Sequence, residues 1–311
     1  MPSPTKIRVG TRGSQLAQWQ AHFVASCLRE FGVEIEVITI STHGDRQSAG
    51  PVESLGGTGV FTKEIQRALL DNQIDLAVHS LKDLPTEPVE GLVLAAVPLR
   101  ERCGDVLVSR GPHTIDDLPT GSVVGTGSFR RQAQLKHWRS DLKVCEIRGN
   151  VETRLGKLES GEFDAVILAE AGLIRLGFEE RFSQQILPKE RFLPAVGQGA
   201  LGLETRADDQ HARAAVAELD DPETHMAVTA ERVMLARLRG GCLAPVGAWA
   251  RQADEENLRL STVVLNRSGT QRIETHVTGA STDARALGQQ AANELIERGA
   301  DDLIQSSRAG D

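Results

Sequence analysis

Apolar positions along the first two hundred residues switch between two repeats. KIRVGT, VEIEVITI and IDLAVHS are short apolar runs of strand length, whereas SQLAQWQAHFVASCLREFG and FTKEIQRALLDNQ place apolar residues at three- and four-residue steps. Strand and helix signals in that alternation predict an α/β sheet domain. Within the first helical segment Leu16, Phe23, Val24, Cys27, Leu28 and Phe31 recur at helical spacing, which predicts that they form its core face and that Cys27 is a packing residue.

The pattern then echoes itself. VGTRGSQLAQ at residues 9–18 resembles VGTGSFRRQAQL at 124–135, and IDLAVHSLKDL at 74–84 resembles FDAVILAEAGL at 163–173. Two similar α/β domains facing one another across a cleft follow from such a repeat, with ligands expected where strands end and helix N-termini begin. The chain turns polar between Arg100 and Asp105 and becomes glycine-rich again in LPAVGQGALGLE, residues 193–204, two crossing points between domains. After Asp221, Pro222 opens a helical stretch, the runs AWARQA, NLRLSTVVLN and TQRIETHVTG read as strands, and DARALGQQAANELIERG reads as a last helix. The resulting division is domain 1 over 1–98 and 199–217, domain 2 over 104–192, and a small α+β domain 3 over 221–311 with a three-stranded sheet.

A chain of 311 residues with 40% hydrophobic content can build several cores. Its start, MPSPTKIRVG, shows no apolar leader and no stretch is long and apolar enough for a membrane span, so the expected location is the cytoplasm, without membrane partners. Four cysteines lack C-x-x-C or ligand-like spacing, which argues against a metal site and a disulfide framework. A net charge of −8 and 4% aromatic residues argue against nucleic-acid binding. Any anion must therefore meet a local basic patch. Between residues 121 and 154 seven Lys or Arg stand against three acids, with Ser128, Arg130 and Arg131 in GTGSFRR and Arg148 and Arg154 in IRGNVETR. Arg12 in VGTRGS and Arg175 in AGLIRLG extend the pattern, and planar guanidinium forks at strand-to-helix turns suit a polyanionic ligand. Exposed arginines solvating a helix face remain the plainer reading of any one of them.

GGTGVF at residues 56–61 lacks P-loop spacing and reads as a glycine loop or lid. Asp83, at the end of the buried run before HSLKDLP, could stabilise a cation or relay a proton, or it could cap a helix or pair with Lys82. His43 and His79 read as solvated or packed. Cys242 in RLRGGCLAPVG sits on a glycine turn after a helix, which suits a displayed thiol as well as a small buried hydrophobe.

Taken together, VGTRGSQLAQWQA, GGTGVFTKE, AVHSLKDLP, GTGSFRRQAQL, RGNVETRL, AGLIRLG, LPAVGQGA, TAERVMLARLRGGC and APVG resemble the porphobilinogen deaminase (hydroxymethylbilane synthase) family. That resemblance implies a transferase of tetrapyrrole and heme biosynthesis. Such enzymes join four porphobilinogen units head to tail with loss of ammonia, on a dipyrromethane cofactor held by a cysteine thioether, and release hydroxymethylbilane by hydrolysis. It implies that Cys242 is the attachment point and that Asp83 is the catalytic carboxylate, stabilising the azafulvenium cation. Lys82, Asp83, Ser128, Arg130, Arg131 and Arg154 would hold the cofactor, and Arg12, Ser14, Arg148, Arg154, Arg175 and Gln198 the substrate. It also implies a monomer whose first two domains look like halves of periplasmic binding proteins. Ser54 and Thr58 stand where some relatives have basic residues, and Gly13 and Arg239 also depart from relatives. A two-lobed solute-binding protein is the non-enzymatic rival, against which the Cys242 loop weighs.

Overall fold

The computed structural model describes residues 6–41, 62–240 and 244–309. In chain order its elements begin with β1 (Ile7–Thr11), α1 (Gln15–Glu30), β2 (Ile35–Thr39), α2 (Lys63–Leu70), β3 (Leu76–Ser80) and β4 (Leu92–Ala96). Next come β5 (Asp105–Ser109), β6 (Val123–Gly125), α3 (Phe129–Trp138), β7 (Lys143–Cys145), α4 (Val151–Glu159), β8 (Ala165–Ala169), α5 (Glu170–Leu176) and β9 (Ser183–Ile186). The chain closes with β10 (Leu201–Arg206), α6 (Gln210–Ala217), α7 (Pro222–Arg237), β11 (Val246–Gln252), β12 (Asn257–Leu265), β13 (Arg272–Ala280), α8 (Ala284–Glu297) and α9 (Ala300–Ala309). Two compact units result, one of Met1–Glu101 with Gly199–His225 and one of Arg102–Gln198 with Met226–Asp311.

The first unit holds a five-stranded sheet in the order β2-β1-β3-β10-β4, and the second holds another in the order β7-β6-β8-β5-β9. Their patterns are the same. In each, the central parallel strands (β1 with β2 and β3; β6 with β7 and β8) are followed by a strand running against its neighbours, β10 or β5. The sequence echo is a structural duplication down to single residues. Val9 and Gly10 face Leu76 and Ala77 in one sheet, while Val124 and Gly125 face Ala165 and Val166 in the other. A Cβ on Gly10 would lie 2.2 Å from Ile74 Cδ1, and one on Gly125 would lie 2.9 Å from Phe163 Cδ1, the equivalent neighbour. Asp75 accepts a hydrogen bond from Arg8 N (3.0 Å) and Asp164 one from Val123 N (2.8 Å). Each carboxylate also takes an arginine from the antiparallel strand's end, Arg206 Nη2 at 2.9 Å or Arg110 Nη2 at 2.8 Å.

Helix α1 corrects the expectation from its pattern. Ala21, Val24, Ala25 and Leu28 form the buried stripe, whereas Phe23 and Phe31 are 43% and 54% exposed. Small alanines let the helix lie close to its single sheet, so the apolar stripe that can be covered is narrower than the sequence suggested. Phe23 instead stacks on Trp19, with ring centroids 5.3 Å apart. Cys27 is half-buried, and burial followed by the charge of Glu30 raises its thiol pKa.

In the second unit β11-β12-β13 form the expected antiparallel sheet. Its core joins Ala230 and Met234 of α7, Leu258 and Leu260 of β12, and Ala291 and Leu295 of α8. Each such leucine stabilises the unit by about 1.5–3 kcal/mol. Helix α9, beyond the last helix read from sequence, follows Gly299, whose φ of +89° ends α8.

Candidate functional site

In the first unit the candidate residues gather at the carboxyl ends of β1 and β3. Thr11 ends β1, Arg12 follows half-buried, and the Ser14 hydroxyl caps α1 by accepting from Ala17 N at 3.4 Å. Ser80 ends β3 and accepts from Gln20 Nε2 at 2.8 Å. Lys82 and Asp83 then lie half-buried on the 3-10 turn Leu81–Asp83, which is fixed by a bond from Leu81 N to Ala200 O at 3.0 Å. No hydrogen bond or ion pair of the Asp83 carboxylate is formed among the described residues, so neither helix capping nor pairing with Lys82 engages it. His79, one strand turn earlier, is packed: its Nε2 lies 3.0 Å from Glu204 Oε2, and Gln66 Nε2 donates to Glu204 Oε1 at 2.9 Å.

The second unit collects the cations. Ser128 caps α3, accepting from Arg131 N at 3.5 Å. Arg130 and Arg131 in the first turn of α3 are not solvated helix-face residues, for they are 4% and 5% exposed. Both turn onto Asp105, the fully buried first residue of β5. Arg130 Nη1 donates to Asp105 Oδ2 at 2.7 Å, and Arg131 Nε donates to Asp105 Oδ1 at 2.9 Å. Gln198 Nε2 donates to the same Oδ1 at 3.0 Å and to Cys103 O and Gly104 O. Burial opposes ionisation of Asp105, but the charges of Arg130 and Arg131 and their hydrogen bonds overcome it and hold the carboxyl well below the usual range. Arg131 Nη1 donates to Ile167 O at 3.0 Å, while Arg130 Nη1 also donates to Leu193 O at 2.6 Å. Arg130 Nε is buried without a hydrogen-bond partner among the described residues.

Two guanidinium groups thus share one carboxylate, and the trio carries one surplus positive charge out of water. A buried uncompensated cation is costly unless an anion completes it. Nearby, β7 leads into Gly149, whose φ is +109° and whose Cβ would sit 2.6 Å from Thr153, so only glycine suits this turn into α4. Asn150 caps α4 through Thr153 N at 2.9 Å. Arg154 Nε donates to Gly149 O at 2.9 Å, and Arg148 Nε lies 2.6 Å from Glu146 Oε1, a charge contact without hydrogen-bond alignment. Arg175 is buried in α5.

Sequence reasoning named the arginines but missed Asp105; its signal was a charged residue opening the otherwise apolar strand DVLVS. Cys242, the loop 56–61, Ser54, Thr58 and His43 lie outside the described residues. Among the described residues no cluster of metal-ligating side chains occurs, and no helix is long and apolar enough to cross a membrane.

A duplicated α/β sheet whose second copy buries two guanidinium groups on one carboxylate defines the class of fold and site. Residues 7–214 match the family model described as porphobilinogen deaminase, dipyromethane cofactor binding domain, and residues 225–297 match its C-terminal domain. The porphobilinogen deaminase of Pelotomaculum thermopropionicum is 46% identical over 305 residues, covering 97% of each chain. That of Desulforudis audaxviator is 47% identical over 307 residues, covering 98% of this chain and 99% of the relative. The chain belongs to the porphobilinogen deaminase family, transferases of tetrapyrrole biosynthesis with a dipyrromethane cofactor. Among solved structures, a periplasmic substrate-binding protein of an ABC transporter from Coxiella burnetii aligns with a TM-score of 0.44 and 15% identity, covering 73% of this chain and 96% of that one.

Proposed function

We propose that this chain joins four porphobilinogen molecules head to tail with loss of ammonia, on a dipyrromethane primer tied by a thioether to Cys242, and releases hydroxymethylbilane by hydrolysis. The observation that carries the reading is the trio of Asp105, Arg130 and Arg131, with its surplus positive charge and the unpartnered Arg130 Nε. This suits the carboxylates of a pyrrole acetate or propionate. When bound, the dipyrromethane supplies the pyrrole α-carbon to which a new unit is joined.

In this reading the residues of the chain divide the work by charge. Arg130 offers hydrogen-bond donors to a ligand carboxylate, while Arg131, whose donors are engaged by Asp105 and Ile167 O, contributes charge. Lys82, Ser128 and Arg154 complete the hold on the cofactor. Arg12, Ser14, Arg148, Arg154, Arg175 and Gln198 receive the substrate's acidic side chains. The unengaged carboxylate of Asp83 stabilises the positive charge that develops on the substrate's methylene carbon as ammonia leaves, a task for an ionised group. It can also accept the proton lost from the pyrrole carbon after the new bond forms. The protein works as a monomer in the cytoplasm, a setting that four cysteines without disulfide-like spacing support.

Mass spectrometry of the intact purified chain tests this. The expected result is an adduct of two pyrrole units that peptide mapping localises to Cys242. Fully active enzyme with an unmodified Cys242 would overturn the proposal.

A further inference from the structure

The duplication supplies a comparison for the buried histidine. Leu76 and Ala77 hold against β1 the places that Ala165 and Val166 hold against β6, so His79 of β3 is equivalent to Leu168 of β8. Glu204 of β10 faces Ala77 and Val108 of β5 faces Val166, which makes Glu204 and Val108 equivalent as well. Counted back from these strands without a gap, Asp75 meets Asp164, Asn72 meets Gly161 (both at positive φ), and Gln66 of α2 meets Leu155 of α4. Both helices close alike, with Gln73 N donating to Ala68 O at 2.8 Å and Glu162 N to Lys157 O at 3.1 Å. In the second unit Leu155, Leu168 and Val108 are buried in one apolar cluster. In the first unit the same three places hold Gln66, His79 and Glu204, also buried. There Gln66 Nε2 donates to Glu204 Oε1 at 2.9 Å, and His79 Nε2 meets Glu204 Oε2 at 3.0 Å.

The second unit thus builds this contact of helix on sheet with apolar side chains alone. Polar groups are costly to bury, and what a satisfied network adds is one directional arrangement. That arrangement borders the turn that carries Asp83. Gly202 stands opposite His79, two residues before Glu204 and on the same face of the sheet. A Cβ on Gly202 would lie 2.9 Å from Leu81 Cδ1 and 3.7 Å from Leu84 Cδ2, so the two leucines that flank Lys82 and Asp83 pack onto its bare backbone. In the second sheet the buried Val106 fills that position, and Ala171 and Gly172 stand where Lys82 and Asp83 do. Resting on the reading of Asp83 as the group that stabilises the developing cation, we infer that Gln66, His79 and Glu204 are positioning residues for it. They fix the floor on which Leu81 and Leu84 seat, and through those leucines the placement of the Asp83 carboxylate.

The test is the triple variant Gln66→Leu, His79→Leu, Glu204→Val, which copies the packing of the second unit into the full chain. Beside it stands Glu204→Gln, which keeps an acceptor for His79 while the Gln66 amide can turn to meet the new one. Cofactor loading is read from the mass of the intact chain, Tm from circular dichroism, and kcat and KM from porphobilinogen consumption per loaded chain. The triple variant should fold, melt close to the natural chain or above it, and carry the dipyrromethane adduct. Its kcat should fall by about tenfold to 100-fold with KM nearly unchanged, the scale of a misplacement of about 1 Å. Glu204→Gln should keep most of the turnover. A merely structural role would move Tm and leave kcat per loaded chain as it was. A triple variant with natural kcat, or one that fails to fold or melts well below the natural chain, overturns the inference. So does a Glu204→Gln chain that loses turnover at the natural Tm, since charge and not placement would then matter. These outcomes leave the role of Asp83 standing, whereas near-normal turnover of Asp83→Asn would remove that role and this inference with it.

Discussion

Asp75 offers a direct measure of what the duplicated scaffold contributes to stability. Its carboxylate accepts from Arg8 N at 3.0 Å, Arg8 Nε at 2.9 Å, Arg8 Nη2 at 2.7 Å and Arg206 Nη2 at 2.9 Å, tying β1, β3 and β10 together at one end of the first sheet. Partial burial pushes the carboxyl upward, but the Arg8 and Arg206 hydrogen bonds prevail and bring it from 3.8 down to about 2. At about 1.4 kcal/mol per tenfold change in proton affinity, that gap corresponds to about 2 kcal/mol, and screening at this partly open edge reduces it to about 1–2 kcal/mol. The folded pKa lies below the unfolded one. The contribution is therefore fully present above about pH 4 and is lost as pH falls towards 2.

Asp75→Asn should accordingly lower the stability of the first unit by about 1–2 kcal/mol at pH 7, and the gap from the natural chain should close as pH approaches 2. Arg206 keeps Asp209 at 2.5 Å and Arg8 remains partly in water, so neither cation is stranded. The assay can be confined to this unit because Trp19 is its one tryptophan, with Trp138 and Trp249 in the other. Urea unfolding of a Trp138→Phe, Trp249→Phe chain, followed by Trp19 fluorescence, then reads the first unit alone. Asp164→Asn, at the equivalent but more exposed carboxylate, serves as comparison in a Trp19→Phe, Trp249→Phe chain that keeps Trp138, and should have the smaller effect in its own unit. Equal stabilities at pH 7, or the same acid sensitivity with and without Asp75, would refute the reasoning.

Asp83→Asn should retain the dipyrromethane adduct and the natural Tm while losing most turnover, because shape survives and the negative charge does not; near-normal turnover in a steady-state assay would remove Asp83 from its assigned role. Gly125→Ala should cost on the order of 1–3 kcal/mol in chemical unfolding, since its Cβ meets the Phe163 ring. Phe163→Leu in the same chain should recover part of that loss, and no recovery would mean that the strain lies elsewhere.

The residues that were legible in sequence are those whose roles are local. The Gly-Thr-Ser turns show because each helix needs its cap within a few residues of the strand end, and the alternating segments show because each strand and helix carries its own period. Asp105 was not legible as a partner of Arg130, because only the pairing of β5 beside β8 carries it to the start of α3. The same gap hid that Arg130 and Arg131, read from sequence as an anion-site candidate, are buried and paired with a carboxylate. Phe23 and Phe31 misled for another reason: helical periodicity marks an apolar face, but the width that becomes covered depends on a single sheet lying against α1.

What the two sheets share and where they differ bears on the chemistry. Both keep the glycine against a large apolar neighbour, the capping serine and the aspartate at the strand start, all features that main-chain geometry requires. They diverge at strand and helix ends. Lys82 and Asp83 follow β3, where Ala171 and Gly172 follow β8; Asp105 opens β5 where Leu201 opens β10. One copy displays an unengaged carboxylate, the other conceals a surplus cation.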